Sequence, residues 1–265
     1  MATKKDLRYY LEKAREGGWA LGQFNFSSAE QLKGIVAAAQ NLRSPLLLGT
    51  SEGDSALIGI AQAAAIVGAY RKETGLPIFL NFDHGKSLAK TKQAVSMARA
   101  AKILVVEGEL GKIFGRSQIH QEKTVTLSKG DFTNPDEAER FAKETRVDSL
   151  AVIFGNVHGV YEQMPHLDFE RLQEIKKRVE CFLVLHGGSG IPENEIRQAI
   201  QLGIVKINIS TELRLAFAGA LRTSLAEHPE EIAPYALWRS IPRRLLRTRL
   251  SLPPFLPFRR LPRKK

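Results

Sequence analysis

Cysteine is almost absent. Cys181 is the only one in 265 residues. A single thiol excludes an internal disulfide framework and fits a reducing compartment, most simply the cytoplasm. Long apolar runs are missing too; none approaches the roughly 20 residues of a membrane-spanning helix. The N-terminus, "MATKKDLRYY", is polar, so no secretory leader is expected. Acidic residues are missing from one stretch. Residues 236–265 hold ten Lys and Arg and no Asp or Glu. The formal net charge of +11 therefore falls to +1 over the first 235 residues. A strongly basic chain invites a reading as a binder of nucleic acid or anionic surfaces. Here that reading applies to the tail and not to the body.

What is present is a regular alternation. Apolar residues make up 43% of the chain, enough for a substantial core in one large domain or two small ones. Strands are expected at 19–26, 45–51, 77–85, 103–111, 149–159, 181–188 and 205–211. Helical patterns fall between them. One opens at Ser27 with Glu30 in a capping-box pattern. Others cover 55–74, 87–101, 168–179, 192–203 with Gly203 as a stop, and 212–228. Asn134 followed by Pro135 marks the start of a further helix. Alternating strands and helices imply parallel strands joined by right-handed crossovers. Polar residues gather at one end of nearly every strand: Asn25, Ser51, Asp83, His84, Glu107, Glu109, His158, His186 and 208–211. An open doubly wound sheet concentrates its site at a switch point, whereas a barrel spreads it over the C-terminal face. The spread favours a TIM-type (β/α)8 barrel, although only seven strands can be counted.

Three of the six histidines stand at strand ends, each beside glycine in "DHG", "VHG" and "LHG". Catalytic zinc takes three protein ligands and keeps a position open. His84, His158 and His186 are candidate ligands, against the alternative of hydrogen-bonded structural residues. Asp83 is either a general acid or base beside the metal or a partner that orients a histidine. "GGSG" and "NIST" follow the last two strands, where barrels build phosphate sites from backbone N–H groups and hydroxyls. Turn formation is the competing explanation for both loops.

Taken in order, "FNF", "DHG", "EGELG", "GNVHG", "LHGGSGIP" and "KINISTELR" resemble the class II ketose-bisphosphate aldolases, which act on fructose or tagatose bisphosphate. The resemblance runs from about residue 5 to about residue 235. It implies a zinc-dependent barrel that cleaves a ketose 1,6-bisphosphate to dihydroxyacetone phosphate and glyceraldehyde 3-phosphate. It implies His84, His158 and His186 as ligands of one Zn2+ per chain, with Glu109 at an alternative ion position and room for a monovalent cation. Asp83 would move a proton at the aldehyde-derived oxygen, and Asn208 would bind the enediolate. Gly159, Gly188, Ser189, Ser210 and Thr211 would hold a phosphate, and Ser51 the other end of the substrate. The implied partners are small sugar phosphates and a second or fourth copy of the chain, with neither nucleic acid nor a membrane span.

Four departures stand out. The family's βα unit between "DHG" and "EGELG" is missing. The acidic cluster expected after "EGELG" is replaced by "KIFGRSQIHQEK", with Glu122 as its only carboxylate and the one carried over as a catalytic candidate. Glu162 stands where a lysine often follows the tyrosine. The tail has five prolines and no helical period, and reads like a shifted frame. The expected organisation is a barrel at 1–235 and a basic, disordered or aberrant tail at 236–265. Two other functions follow from the departures: a remnant that binds metal or sugar phosphate without turnover, and a basic-tail binder of nucleic acid or anionic surfaces.

Overall fold

The computed structural model describes residues 5–84, 105–111, 113–120, 125–239 and 241–242. In chain order its elements begin with α1 (Leu7–Gly17), β1 (Leu21–Asn25), α2 (Ala29–Leu42), β2 (Leu46–Ser51), α3 (Glu52–Ile58), α4 (Ile60–Thr74) and β3 (Ile78–Asp83). They continue with β4 (Glu107–Leu110), β5 (Gly115–Ile119), α5 (Pro135–Thr145), β6 (Ser149–Val152), β7 (His158–Val160) and α6 (Phe169–Arg178). The last are β8 (Phe182–Leu185), α7 (Glu193–Gln201), β9 (Ile204–Ile209), α8 (Thr211–Glu227) and α9 (Pro234–Leu237). No single helix among the described residues is long and apolar enough to cross a membrane.

Seven strands form one sheet in the order β3-β2-β1-β9-β8-β6-β4. The pairs β1–β2, β2–β3, β4–β6, β6–β8 and β8–β9 are all parallel. This is an α/β fold of the TIM-barrel type with seven strands, as the alternation predicts. Parallel strands covered on both faces carry near-continuous apolar runs. "SLAV" of β6, "FLVL" of β8 and "IVKINI" of β9 are buried at every position. The expected helix at 87–101 and the place of the missing unit lie outside the described residues, as does the tail beyond residue 242.

Local readings differ in three places. The expected strand at 149–159 is two strands, because the chain turns at Gly155 and Asn156. The Asn156 side chain accepts from Phe154 N (2.9 Å) and donates to the His186 carbonyl (3.1 Å), which fixes the turn. Beyond it, β7 pairs with β5 in a separate two-stranded sheet. The expected helix at 55–74 breaks at Gly59 into α3 and α4, bent by 83°. A capping box between Ser51 and Asp54 starts α3 directly at the strand end. Helix α2 is capped by Ser28 and not Ser27; Ser28 Oγ accepts from Gln31 N, and the Gln31 side chain reaches back to Ser27 N.

The chain divides into two compact units. One holds described residues 5–22 and 105–211, the other 23–84 and the described part of 212–242. The first is built on β6, β8 and β9, with Leu150, Phe154, Leu183 and Ile207 fully buried, as are Leu172, Ile175 and Ile196 of its helices. The second is built on Leu46, Leu47, Leu48 and Ile78, with Leu32, Ile35 and Ala63 from its helices.

Candidate active site

In the second unit the chemistry lies on the C-terminal ends of three neighbouring strands. Residues Asn25, Gly49 and Asn81 are in register across β1, β2 and β3, and Asp83 ends β3. A chain of side-chain hydrogen bonds runs along this face. Asn81 Nδ2 donates to Gln23 Oε1 (2.9 Å), Gln23 Nε2 to Asn25 Oδ1 (3.2 Å), and Asn25 Nδ2 to Asp83 Oδ2 (2.8 Å). The chain links β1 to β3 by passing over the strand between them. Gly49 makes room for it, since a Cβ there would stand 2.1 Å from Asn25 Oδ1 and 2.8 Å from Gln23 Nε2. Gly49→Ala should therefore displace Asn25 and with it Asp83. A misplacement of about 1 Å costs about a hundredfold in rate. Such a loss in kcat, in a protein whose circular dichroism is unchanged, is the expected result.

His84 follows Asp83 with φ of +55, a conformation that few non-glycine residues adopt and that clusters at functional sites. Its Nε2 lies 3.9 Å from Asp83 Oδ1. The turn answers why adjacent residues, which a regular strand would point to opposite faces, stay close. Ser51 is engaged locally: its hydroxyl bonds Asp54 Oδ2 at 2.6 Å.

In the first unit, His186 follows β8 and is 3% exposed. Its Nε2 is 2.9 Å from Glu107 Oε1, and its Nδ1 is 3.6 Å from Glu109 Oε1. The His158 ring is stacked near it, centroids 6.4 Å apart. His158 opens β7 and is held there by its N–H donating to the Phe114 carbonyl (2.7 Å). Lys206 Nζ reaches both oxygens of Glu107 at 2.7 Å. Burial would raise the Glu107 carboxyl, but the Lys206 ammonium and the His186 ring outweigh it and hold the group well below the usual carboxylate range. Lys206 lies on β9 and Glu107 on β4, with β8 and β6 between them in the sheet. An ion pair that spans two intervening strands requires this part of the sheet to curl.

The glycine and serine loops also belong to this unit. Gly159 has φ of +98, and a Cβ would fall 2.5 Å from the Arg116 carbonyl, so only glycine fits. Gly188 donates its N–H to the Asn208 carbonyl at 2.9 Å, which ties the "HGGSG" loop to β9. Ser189, Thr211 and Asn208 are buried. Ser210 Oγ is buried with no hydrogen-bond partner among the described residues. Glu162 is exposed, and Glu122 lies outside the described residues.

His84 in the second unit, and His158 and His186 in the first, each carry a ring nitrogen of the kind that ligates a metal ion. Residues 5–97 and 86–247 match the family model described as fructose-bisphosphate aldolase class-II. The chain belongs to this family. Among solved structures, the YdjI aldolase from Escherichia coli K12 is 30% identical, with a TM-score of 0.72 over 93% of this chain and 94% of that one. A fructose-bisphosphate aldolase from Campylobacter jejuni shares the fold, with 20% identity and a TM-score of 0.71 over 92% of each chain. The family match comes in two segments that overlap at residues 86–97, between "DHG" and "EGELG".

Sequence reasoning singled out the histidines, Asp83 and the serine loops but passed over their supports. Gln23, Asn81, Ser149 and Lys206 were not picked out, and Asn25 and Glu107 were noted only as polar strand ends. The available signal was charge and amide groups inside runs with no solvent face: Lys206 between Val205 and Ile207, and Gln23 between Gly22 and Phe24.

Proposed function

We propose that the chain is a zinc-dependent aldolase, reversibly cleaving fructose or tagatose 1,6-bisphosphate to dihydroxyacetone phosphate and glyceraldehyde 3-phosphate. The donor set carries this reading: His84, His158 and His186 are three imidazoles of the kind catalytic zinc takes, and Glu109 beside His186 offers an alternative position. When bound, zinc polarises the ketone and stabilises the negative charge that develops during cleavage. A monovalent cation fits the same reading as a second ion.

The chain's own groups supply the rest. Asp83 holds and moves the proton at the aldehyde-derived oxygen. Its Oδ2 accepts from Asn25, which holds the carboxylate in place for that transfer. Asn208 binds the three-carbon fragment through its amide. Gly159, Gly188, Ser189, Ser210 and Thr211 cradle a phosphate. The Ser210 hydroxyl, buried without a partner among the described residues, supports this assignment, because such a group is otherwise costly. Ser51 serves the other end of the substrate, and Glu122 is carried as a further proton-transfer candidate. Cytoplasmic residence and a homodimer or homotetramer complete the proposal.

The test is a coupled assay of both bisphosphates. Activity should fall to background on chelation and return with added zinc. Cleavage that survives complete metal removal would overturn the reading. The two-segment family match favours one rival, a remnant that binds without turnover. Bound zinc and inorganic phosphate with no cleavage of either substrate would decide for it.

A further inference from the structure

The half-buried carboxylate of Glu107, against the His186 ring, has no place in the chemistry above. Glu107 Oε1 lies 2.9 Å from His186 Nε2, within hydrogen-bond distance. Lys206 Nζ bonds both carboxylate oxygens at 2.7 Å, and Ser149 Oγ adds a contact to Oε2 at 3.2 Å. Ser149 is 1% exposed, Lys206 2% and His186 3%. Four strands contribute to this assembly or lead directly into it: β4, β6, β8 and β9.

The chemistry of the partners fixes what each atom does. Lys206 has three donors and no acceptor, and an ionised carboxylate only accepts. With Lys206 on both its oxygens, Glu107 stays an acceptor, so the contact with His186 requires a proton on Nε2. A neutral imidazole carries one proton and one acceptor nitrogen. Placing the proton on Nε2 makes Nδ1 the nitrogen with a lone pair for a metal.

We infer that Glu107, anchored by Lys206 and Ser149, is a positioning residue that locks the His186 ring in its Nε2–H tautomer and presents Nδ1 to the metal. Carboxylates that accept from the second nitrogen of a metal-ligating histidine fix its tautomer and orientation, and their loss typically lowers metal affinity by about 10- to 100-fold. A shape-filling role for Glu107 would leave the tautomer unconstrained. The inference rests on the zinc reading for its metal half and on geometry alone for its tautomer half.

The experiment uses the full chain with 15N-labelled histidine. A nitrogen–proton correlation spectrum of the metal-free protein, assigned by comparison with His186→Gln, reads the His186 tautomer directly. Zinc affinity is then measured against a competing chelator for the wild type and Glu107→Gln, with circular dichroism to confirm folding. The expected result is a proton on Nε2 and an affinity reduced about 10- to 100-fold in the variant. A proton on Nδ1 in the wild type would overturn the inference without needing any variant to fold. So would a folded Glu107→Gln with wild-type zinc affinity. An Nε2 proton in a wild type that binds no zinc supports the tautomer lock and sinks the zinc reading instead.

Discussion

Asp83→Asn is expected to fold normally and to lose about 10²- to 10⁴-fold in kcat, with KM little changed, the range typical of a lost general acid or base. The substitution keeps shape and volume. Its amide oxygen can still accept from Asn25 Nδ2, the bond that holds Asp83 at 2.8 Å in the native protein. What it removes is the capacity to take up and release a proton at the second oxygen. Steady-state cleavage of fructose and tagatose bisphosphates, with a thermal melt alongside, checks both halves. A variant with near-native kcat would show that Asp83 only orients its neighbours.

Lys206→Met is expected to cost about 3–5 kcal/mol of stability, because it leaves a buried carboxylate without its main compensation. Lys206 is 2% exposed and supplies both of the short contacts to Glu107. Replacing the pair together, Glu107→Leu with Lys206→Met, should cost far less, since apolar side chains need no compensation. Urea denaturation of the two single variants and the double variant measures the coupling. The pair also predicts a pH dependence. The folded-state value of Glu107 is depressed below its ordinary 4.5. Its contribution is therefore complete above about pH 4.5 and is lost as the pH falls below that toward the depressed value. The double variant should lack this acid limb. Equal pH profiles would mean that the pair contributes nothing through charge.

Six of the seven strands of the main sheet were legible as apolar runs, because a buried parallel strand leaves little choice of residue; β4, "EGEL", is half-exposed and was legible only through the apolar residues that lead into it. The helix starts at Asn134 and the stop near Gly203 were legible for the same local reason: caps are short-range chemistry. The break at Gly59 was not, since a single glycine within "SALIGIAQAAAIVGAY" does not disturb the apolar pattern. The pairing of β5 with β7 was not either. "GRSQI" is polar and short, and its partner reads as the tail of β6 until the Asn156 turn is seen. In the site, His158 and His186 stood out because a histidine next to glycine at a strand end is unusual. Their supports did not, because Glu107 and Lys206 are 99 residues apart and meet only through the curl of the sheet.

The side-chain chain from Asn81 to Asp83 has a sense of direction, and the aspartate imposes it. An ionised carboxylate can only accept, so Asn25 must turn its NH2 group toward Asp83 and its oxygen toward Gln23. Gln23 must then turn its own NH2 toward Asn25 and its oxygen toward Asn81. One charge at one end thus polarises three amides in series. A neutral asparagine at position 83 could donate as readily as accept, and all three upstream amides would then be able to reverse together. The negative charge on Asp83 therefore serves as a compass needle for groups as far away as Asn81, before any substrate arrives.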